Sequence, residues 1–268
     1  ELLDNGEIIA VCSNKYLAKL DRNSNIIWIR HIPAHHDIEV LRDGTYLVPV
    51  YSPVVLYKFR LVRFDAILHL SPEGKILDEW STFAHLEELR KTHRPVFLDT
   101  EPEGRIKKAM IVSYSMLKAI TGNKIADSVV YSLSEPQRQP NGLPSGSIKR
   151  LLLITENWMR KNLGLDEVFE YYHLNTIKTL PETNLDKKYN EFQEGNYLIC
   201  LRNSDLILIL DKNSKKIVWS WGPGKLDWPH TPSMLKNGNI LIFDNRFHGK
   251  YSQVLEIDPI SGKKVWGY

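Results

Sequence analysis

The chain repeats one pattern of turns and strands four times. In each copy a leucine precedes a turn that contains glycine, and a short apolar strand follows. The copies begin at Leu3, Leu41, Leu180 and Leu235, and a polar insertion before Gly195 splits the third. Asp-Gly and Asn-Gly pairs between apolar runs are strong hairpin signals, and we expect type I′ turns with both central residues at positive φ.

A second half-unit completes each copy with a strand, a short polar turn and a strand that contains tryptophan near its end. Its copies span residues 16–29, 67–80, 206–221 and 254–268. Joined, the two halves give four antiparallel strands per unit, and a period of about 40 residues is typical of β-propeller blades. We therefore predict an all-β fold, a β-propeller of four-stranded antiparallel blades.

The repeat is lost in residues 81–170. The stretch "FAHLEELRKTH" at 83–93 has helical periodicity, and Pro-, Gly- and Ser-rich segments follow it. We predict a single propeller domain over 1–268, in which 81–170 form a partly helical, irregular insertion or degenerate blades. Because the sequence opens and closes within repeat units, we expect the first and last blades to be incomplete.

Composition excludes several classes of function. The formal net charge is +3, and no basic block is interleaved with aromatic residues, so nucleic acid is not an expected partner. No apolar run approaches the ~20 residues of a membrane-spanning helix. Cys12 and Cys200 permit one disulfide, but two buried thiols on strands are the favoured interpretation.

Histidines recur at one position of the repeat. His230 and His36 each stand five residues before the leucine of their turn. In the third copy Asn175 takes that place, and His173 stands two residues earlier. Side chains two apart on a strand share a face, and the first strand of each propeller blade lines the axis. We therefore expect these side chains to converge at the mouth of the central channel.

Arg202 belongs to the same end of the channel. It follows the apolar strand "NYLICL" and opens the loop "RNSD", which also contains Asn203. A guanidinium and imidazoles can stabilise the charge that develops on a transferring sulfuryl group, as in phosphoryl transfer. A neutral imidazole on His230 could attack sulfur, and Pro229 and Pro232 would restrict the backbone around it.

Two other classes of function remain open. Three convergent histidines could ligate Zn, Fe or Cu, although the charge of Arg202 would repel a dication. A non-catalytic propeller that serves as a binding or assembly module is the other alternative, since propellers have many functions. A quinone-dependent dehydrogenase is disfavoured because no set of Ca²⁺-binding carboxylates stands out. Of the remaining histidines, we expect His35 to be structural, whereas His248 could reach the channel.

Three segments carry a resemblance to a known family: "HHDIEVLRDGTYLV", "YYHLNTIKTLPE…EGNYLICLRNSDLILILDKNSKKIVWSWG" and "LDWPHTPSMLKNGNILIFDN". They resemble the bacterial arylsulfate sulfotransferase superfamily, loosely over 1–80 and closely over 170–268. The resemblance implies a six-bladed, PQQ-like β-propeller exported to the periplasm. It implies transfer of a sulfuryl group from a phenolic sulfate ester to another phenol, without a nucleotide donor, cofactor or metal.

The resemblance also assigns roles to residues. It implies that His230 is transiently sulfated and that His36, His173 and Arg202 hold the sulfate oxygens. We expect Asn175 and Asn203 to bind substrate beside them. The partners would be a small phenolic sulfate donor and a phenolic acceptor. A protein partner or a homo-oligomer is compatible with the sequence, as is a membrane anchor upstream of residue 1.

Overall fold

The computed structural model describes residues 1–57, 60–92 and 169–268. Within these ranges the chain is nearly all β, and its α-helix is α1 (Leu86–Thr92), which lies inside the segment with helical periodicity. The strands are, in chain order, β1 (Ile8–Cys12), β2 (Tyr16–Leu20), β3 (Ile26–Arg30), β4 (Glu39–Val40), β5 (Tyr46–Tyr57), β6 (Arg60–Leu70), β7 (Ile76–Ser81), β8 (Phe169–Glu170), β9 (Leu174–Thr179), β10 (Tyr197–Leu201), β11 (Leu206–Leu210), β12 (Ile217–Trp221), β13 (Pro229–Met234), β14 (Ile240–Asp244), β15 (Gln253–Asp258) and β16 (Lys263–Gly267).

The strands form antiparallel meanders in which each strand pairs with the next. Blade 1 is β1-β2-β3, blade 2 is β4-β5-β6-β7, blade 3 is β9-β10-β11-β12 and blade 4 is β13-β14-β15-β16. In addition, β8 pairs in parallel with β6. These sheets are the blades of a β-propeller, so the predicted fold class is confirmed.

The chain divides into two compact units. The first comprises Glu1–Ser52, Asp65–Val96 and Tyr172–Tyr268 and contains blades 1, 3 and 4 with most of blade 2. The second comprises Pro53–Phe64 and Phe97–Tyr171, and in its described part β8 lies beside β6. Most of the predicted insertion at 81–170 falls outside the described residues, and the single-domain organisation stays a prediction.

The turns of the four copies share one hydrogen-bonding pattern. In the three continuous copies the glycine N–H donates to the carbonyl of the leucine three residues earlier, at 2.8–2.9 Å. Only the glycine adopts positive φ, for example 80° at Gly44, so the expectation of type I′ turns was wrong. The geometry is a type I turn followed by a left-handed glycine. The residue before it is Asn or Asp, and its Oδ1 accepts the N–H two positions on, as Asp43 does from Thr45.

The split third copy closes in the same way. The N–H of Gly195 donates to the carbonyl of Leu180 at 2.9 Å, and the N–H of Leu180 donates to Asn196 at 2.8 Å. The insertion at 181–194 contributes Phe192, which is buried in the core between blades 3 and 4. The repeat in the sequence therefore identified the equivalent turn correctly despite the interruption.

Packing between blades uses both apolar faces and the repeated tryptophans. Blades 3 and 4 share a core to which Ile207, Ile209, Ile240 and Ile242 belong. Burial of such side chains stabilises the fold by about 25 cal/mol per Å² of apolar surface. The outer-strand tryptophans also donate hydrogen bonds to the hairpin of the following blade: Trp28 Nε1 to Pro72 O at 3.0 Å, Trp219 Nε1 to Pro259 O at 3.2 Å and Trp221 Nε1 to Gly262 O at 3.2 Å.

The two cysteines are free thiols, as the sequence favoured; Cys200 is buried and Cys12 is half-buried. None of the helices in the described ranges has the length and apolar character needed to cross a membrane. Strands β4, β9 and β13 are the first strands of blades 2, 3 and 4, and β9 contacts both of the others. The candidate site lies where these three strands begin.

Candidate functional site

The imidazoles of His36 and His173 contact each other directly. Their Nε2 atoms lie 3.0 Å apart, and the ring centroids are 4.8 Å apart at 68°. A hydrogen bond between two ring nitrogens needs one N–H donor and one lone-pair acceptor, so in this arrangement a single proton lies between them. Two neutral imidazoles can share this hydrogen bond, one as the donor and the other as the acceptor.

The backbone at both histidines is left-handed. His36 has φ of 57° and His173 has φ of 54°, which is unusual for residues other than glycine. His173 immediately precedes β9, and His36 stands shortly before β4. Neither residue therefore lies on a strand. The expectation that strand alternation sets their direction was therefore wrong, because the left-handed turn aims each imidazole.

A buried histidine supports His36. His35 is 1% exposed, stacks on Tyr51 with ring centroids 4.0 Å apart, and places Nε2 3.5 Å from the Oδ1 of Asp65. Its backbone N–H donates to the carbonyl of Pro49 at 3.1 Å. This burial against an aromatic ring and a carboxylate agrees with the structural role expected for His35.

Arg202 follows β10 in a short 3₁₀ turn that is tied to His173. The backbone N–H of Arg202 donates to the carbonyl of His173 at 3.1 Å, and that of Asn203 donates to Tyr172 at 3.0 Å. The Nε of Arg202 donates to the Oδ1 of Asn203 at 3.0 Å. Asn203 therefore orients the guanidinium, while the substrate-binding role expected for Asn203 stays a prediction.

His230 lies on β13, and its Nδ1 is 3.1 Å from the carbonyl oxygen of Trp228. A carbonyl can only accept, so Nδ1 carries the proton and Nε2 is the basic nitrogen. The Nδ2 of Asn245 lies 3.1 Å from the same Nδ1. Since two donors cannot bond each other, this tautomer pairs with the Asn245 amide turned by 180°, which presents its oxygen.

The environment of His230 favours its neutral form. Burial lowers the pKa of His230 below its usual 6.5, and electrostatic interactions with Arg202 and His173 lower it further, while the Trp228 carbonyl partly opposes them. At neutral pH the imidazole is therefore unprotonated at Nε2 and available as a nucleophile.

Trp228 joins His230 to Arg202. Its backbone N–H donates to the Oδ1 of Asp205 at 2.8 Å, and its own φ is 59°. The guanidinium carbon of Arg202 lies 4.3 Å from the centroid of the indole, a cation–π distance. The ring of Phe247 also stacks on the indole, with centroids 4.0 Å apart. Burial and the nearby acidic groups raise the pKa of Asp205, whereas the Trp228 N–H lowers it.

A buried carboxylate anchors the loop before His230. Asp244 is 1% exposed and accepts the N–H of Asp227 at 2.8 Å and the Nε2 of Gln253 at 2.9 Å. Asp227 in turn accepts both the backbone N–H and the Nδ1 of His248, at 2.7 and 2.9 Å. His248 is thus held by Asp227 on the loop that follows β14, with its side chain 65% exposed.

Asn175 contacts the chain beside His230. Its Nδ2 donates to the carbonyl of Pro229 at 2.9 Å, and the residue is 5% exposed. The neighbouring Thr176 donates its hydroxyl to the Oδ1 of Asn175 at 2.9 Å. The predicted substrate-binding role of Asn175 stays a prediction, and the contact that the structure gives is with the backbone of β13.

Left-handed residues other than glycine concentrate at this site. Nine occur in the described residues, and three of them, Asn14, Ser24 and Lys215, lie in hairpin turns away from it. The other six are His36, His173, Asp205, Trp228, Thr231 and Arg246. Such conformations persist only where the surroundings fix them, and they cluster at functional sites.

The carboxylates and histidines of the described ranges include no group of three or more arranged to hold a metal ion. The sequence could have pointed to Asp205 and Trp228, because "RNSD" and "DWPH" flank the predicted residues, but nothing in their spacing indicates a contact between them. Thr176 gave no signal at all, since an isolated threonine on a strand is ordinary.

The histidine pair, the arginine and the third histidine thus lie where the first strands of blades 2, 3 and 4 begin or where β10 ends. The chain belongs to the arylsulfotransferase (ASST) family, whose model matches residues 1–237. That span contains His36, His173, Arg202 and His230. The family that the sequence resembles is therefore confirmed.

No curated protein matches the chain. Among solved structures, the chain is similar to a protein of unknown function from Bacteroides caccae, whose crystal structure was determined at 1.35 Å resolution. The two share 17% sequence identity over 97% of this chain and 77% of the other, with a TM-score of 0.35.

Proposed function

We propose that the protein transfers a sulfuryl group from an aryl sulfate ester to a phenolic acceptor through a sulfohistidine formed on His230. The observation that carries this proposal is the state of His230. Its Nδ1 proton is held by the Trp228 carbonyl, and its lowered pKa keeps Nε2 unprotonated. Membership of the arylsulfotransferase family supports the donor class.

In the first half-reaction the lone pair of His230 Nε2 attacks sulfur, and the bond between sulfur and the phenolic oxygen breaks. The imidazole gains positive charge, which the Nδ1–H bond to Trp228 stabilises. Arg202 and the His36–His173 pair stabilise the negative charge on the sulfuryl oxygens. The bonding electrons leave with the phenolic oxygen, and the departing phenolate takes its proton from solvent.

In the second half-reaction the hydroxyl of the acceptor phenol attacks sulfur. Its proton passes to a neutral imidazole of the His36–His173 pair, which later releases it to solvent, while the N–S bond breaks and His230 regains its neutral form. The sulfuryl group is conserved, and neither step needs an oxidant or a nucleotide. Kinetics should therefore be ping-pong.

The test is to incubate the protein with p-nitrophenyl sulfate, follow release of p-nitrophenol and measure the mass of the peptide that contains "LDWPHTPSML". A burst of phenol with one added sulfuryl group on His230, abolished in His230→Asn, supports the proposal. His31→Asn is the matched control, because His31 is exposed and its ring lies against Tyr16 of blade 1. A chelator should leave the burst unchanged; loss of the burst would favour the metal enzyme instead.

If a panel of aryl sulfates gives neither phenol nor label, the proposed transfer is refuted and the non-catalytic binding module takes its place. We also propose an extracytoplasmic location, which rests on the resemblance of the motifs to exported sulfotransferases. Fractionation of cells that express the full-length protein, with immunodetection in periplasmic and cytoplasmic extracts, tests that location directly.

A further inference from the structure

We infer that Thr176 is a positioning residue for His230 and that it acts through a buried hydrogen-bonded clamp shared with Asn175. This inference rests on the proposed role of His230 as the nucleophile. The clamp holds the backbone on both sides of His230 from the first strand of the neighbouring blade.

The clamp consists of three hydrogen bonds in series. The N–H of Thr231 donates to the Oγ1 of Thr176 at 3.1 Å. The Thr176 hydroxyl donates to the Oδ1 of Asn175 at 2.9 Å, and the Asn175 Nδ2 donates to the carbonyl of Pro229 at 2.9 Å. Both the residue before His230 and the residue after it are therefore bonded to β9.

The direction of every bond in the clamp is fixed. A hydroxyl that accepts from a backbone N–H still has its own proton to donate, and the Asn175 oxygen receives it. That contact decides which way the Asn175 amide faces, so its nitrogen necessarily points to the Pro229 carbonyl. Thr176 thus sets the orientation of Asn175 as well as holding Thr231.

The clamp is needed because the strand itself is irregular here. The register of β13 against β14 shifts between His230 and Ser233, which removes the regular ladder at Thr231. Thr231 is β-branched and has φ of 45°, a strained conformation for such a residue. A restraint from outside the blade is what keeps it in place.

Burial makes the clamp rigid. Thr176 is 1% exposed and Asn175 is 5% exposed, so water does not compete for their polar atoms. A third group reinforces the same carbonyl, because the buried thiol of Cys200 lies 3.1 Å from Pro229 O. Buried networks in which every member is paired confer rigidity, and losing one member leaves the others unpaired.

Loss of the Thr176 hydroxyl should move Nε2 of His230 relative to the sulfur of a bound donor. A displacement of about 1 Å in a reacting group can cost roughly 100-fold in rate. In the proposed mechanism Arg202 and the histidine pair hold the sulfuryl oxygens, and neither of them is a member of the clamp. The expected signature is therefore a lower kcat for sulfation with an almost unchanged KM.

The experiment compares Thr176→Val, which is nearly isosteric but lacks the hydroxyl, with Thr176→Ser, which keeps it. Thr183→Val is the matched control: Thr183 is also buried, and its Oγ1 accepts the N–H of Leu185 at 3.1 Å in the loop at the other end of β9. Each variant is assayed for kcat and KM with p-nitrophenyl sulfate and for its melting temperature. Two measurements need no turnover: hydrogen exchange at the Thr231 amide and the rate at which diethyl pyrocarbonate modifies His230.

We expect Thr176→Val to lower kcat by roughly 100-fold, to speed exchange of the Thr231 amide and to change the modification rate of His230, with Thr176→Ser close to the wild type. Thr183→Val should change only the melting temperature. Unchanged exchange at Thr231 and unchanged kcat in Thr176→Val would overturn the inference. A wild-type protein without turnover refutes the proposed sulfotransfer, yet faster exchange and altered modification in Thr176→Val would still establish the clamp.

Discussion

The Nε2 atoms of His36 and His173 lie 3.0 Å apart, although 137 residues separate the two histidines in the chain. Each imidazole stands at the start of a different blade, so this contact depends on how blades 2 and 3 pack. A donor that binds between the two rings must replace this hydrogen bond by bonds to its own oxygens. The two histidines should therefore act as one unit.

A double-mutant cycle tests that unit. We expect His36→Asn and His173→Asn each to lower kcat/KM for an aryl sulfate, and the double variant to lose little more than either one. The reason is that each single change already breaks the shared hydrogen bond, and coupling energies for residues in contact are about 0.5–3 kcal/mol. Additive losses in steady-state assays would show that the two rings act separately.

The rate of His230 labelling should depend on pH through the protonation of His230. Its pKa lies below 6.5, and in the proposed mechanism only the neutral form attacks sulfur, so the rate should be constant above that pKa and fall as the pH drops through it. Arg202→Met removes one positive charge that lowers this pKa, and the acidic limb should move to higher pH. Single-turnover labelling across a pH series measures the limb.

Arg246→Met is the matched control for this profile. Arg246 is a half-buried cation whose guanidinium lies 5.3 Å from the ring centroid of Tyr251. It is not among the groups that shift the pKa of His230. In Arg246→Met the labelling rate should fall over the same acidic pH range as in the wild type. If the labelling rate of Arg202→Met falls over the same pH range as that of the wild type, the charge of Arg202 does not lower the pKa of His230.

Gly222 should tolerate no side chain. Its φ is 136°, and a Cβ at this position would lie 2.2 Å from the carbonyl oxygen of Asp205. We expect Gly222→Ala to lower the free energy of unfolding by about 3 kcal/mol or more. Gly224, with φ of 76° and nothing within 4 Å of its Cβ position, is the control.

Gly224→Ala should cost about 1 kcal/mol, the strain of a left-handed alanine alone. Urea unfolding followed by circular dichroism measures both variants. If both variants lose the same free energy of unfolding, the contact of a Cβ at position 222 with the Asp205 carbonyl does not add to the cost. Because Asp205 holds Trp228, Gly222→Ala should also weaken labelling of His230 in the folded fraction.

Lys178 should stabilise the segment that carries His36. Its Nζ lies 3.2 Å from the Oδ1 of Asp37 and 3.4 Å from the Oε2 of Glu39. Burial raises the pKa of Asp37, and the charge of Lys178 opposes that rise. Lys178→Met should therefore lower the free energy of unfolding by about 1–3 kcal/mol at about pH 7, because two carboxylates lose their cation.

The sign of the pH effect follows from the direction of the shift. The pKa of Asp37 is raised above 3.8, so folded Asp37 takes up a proton more readily than unfolded Asp37. Lowering the pH from neutral through the raised pKa towards 3.8 therefore favours the folded state. The penalty in Lys178→Met should then shrink at about pH 5. Lys187→Met, which breaks only an exposed pair with Glu182, should show little loss at either pH.

The sequence predicted the blades well because each turn is a local structure. Leucine, Asn or Asp, and glycine stand at fixed spacing, and the same hydrogen bonds form wherever they recur. Even the copy interrupted between Leu180 and Gly195 was found, since its two ends keep the residues that close it.

The site was less predictable because its geometry leaves regular structure. Alternation along a strand placed Asn175 beside His173, but His173 adopts φ of 54° just before β9, where alternation does not apply. Asn175 therefore turns to Pro229 on another blade. Contacts between blades, such as that of Thr176 with Thr231, depend on packing that no local pattern encodes.

The left-handed residues around the site also bear on attempts to make this protein more heat-resistant. Glycine would relieve the strain at His36, Trp228 or Thr231, so a screen for melting temperature alone should enrich such replacements. At His36 or Trp228 the replacement would remove an imidazole or the indole beside Arg202, and at Thr231 it would add backbone freedom next to His230. Selection for robustness would therefore first erase the proposed turnover at these positions, and a useful screen would have to score both properties together.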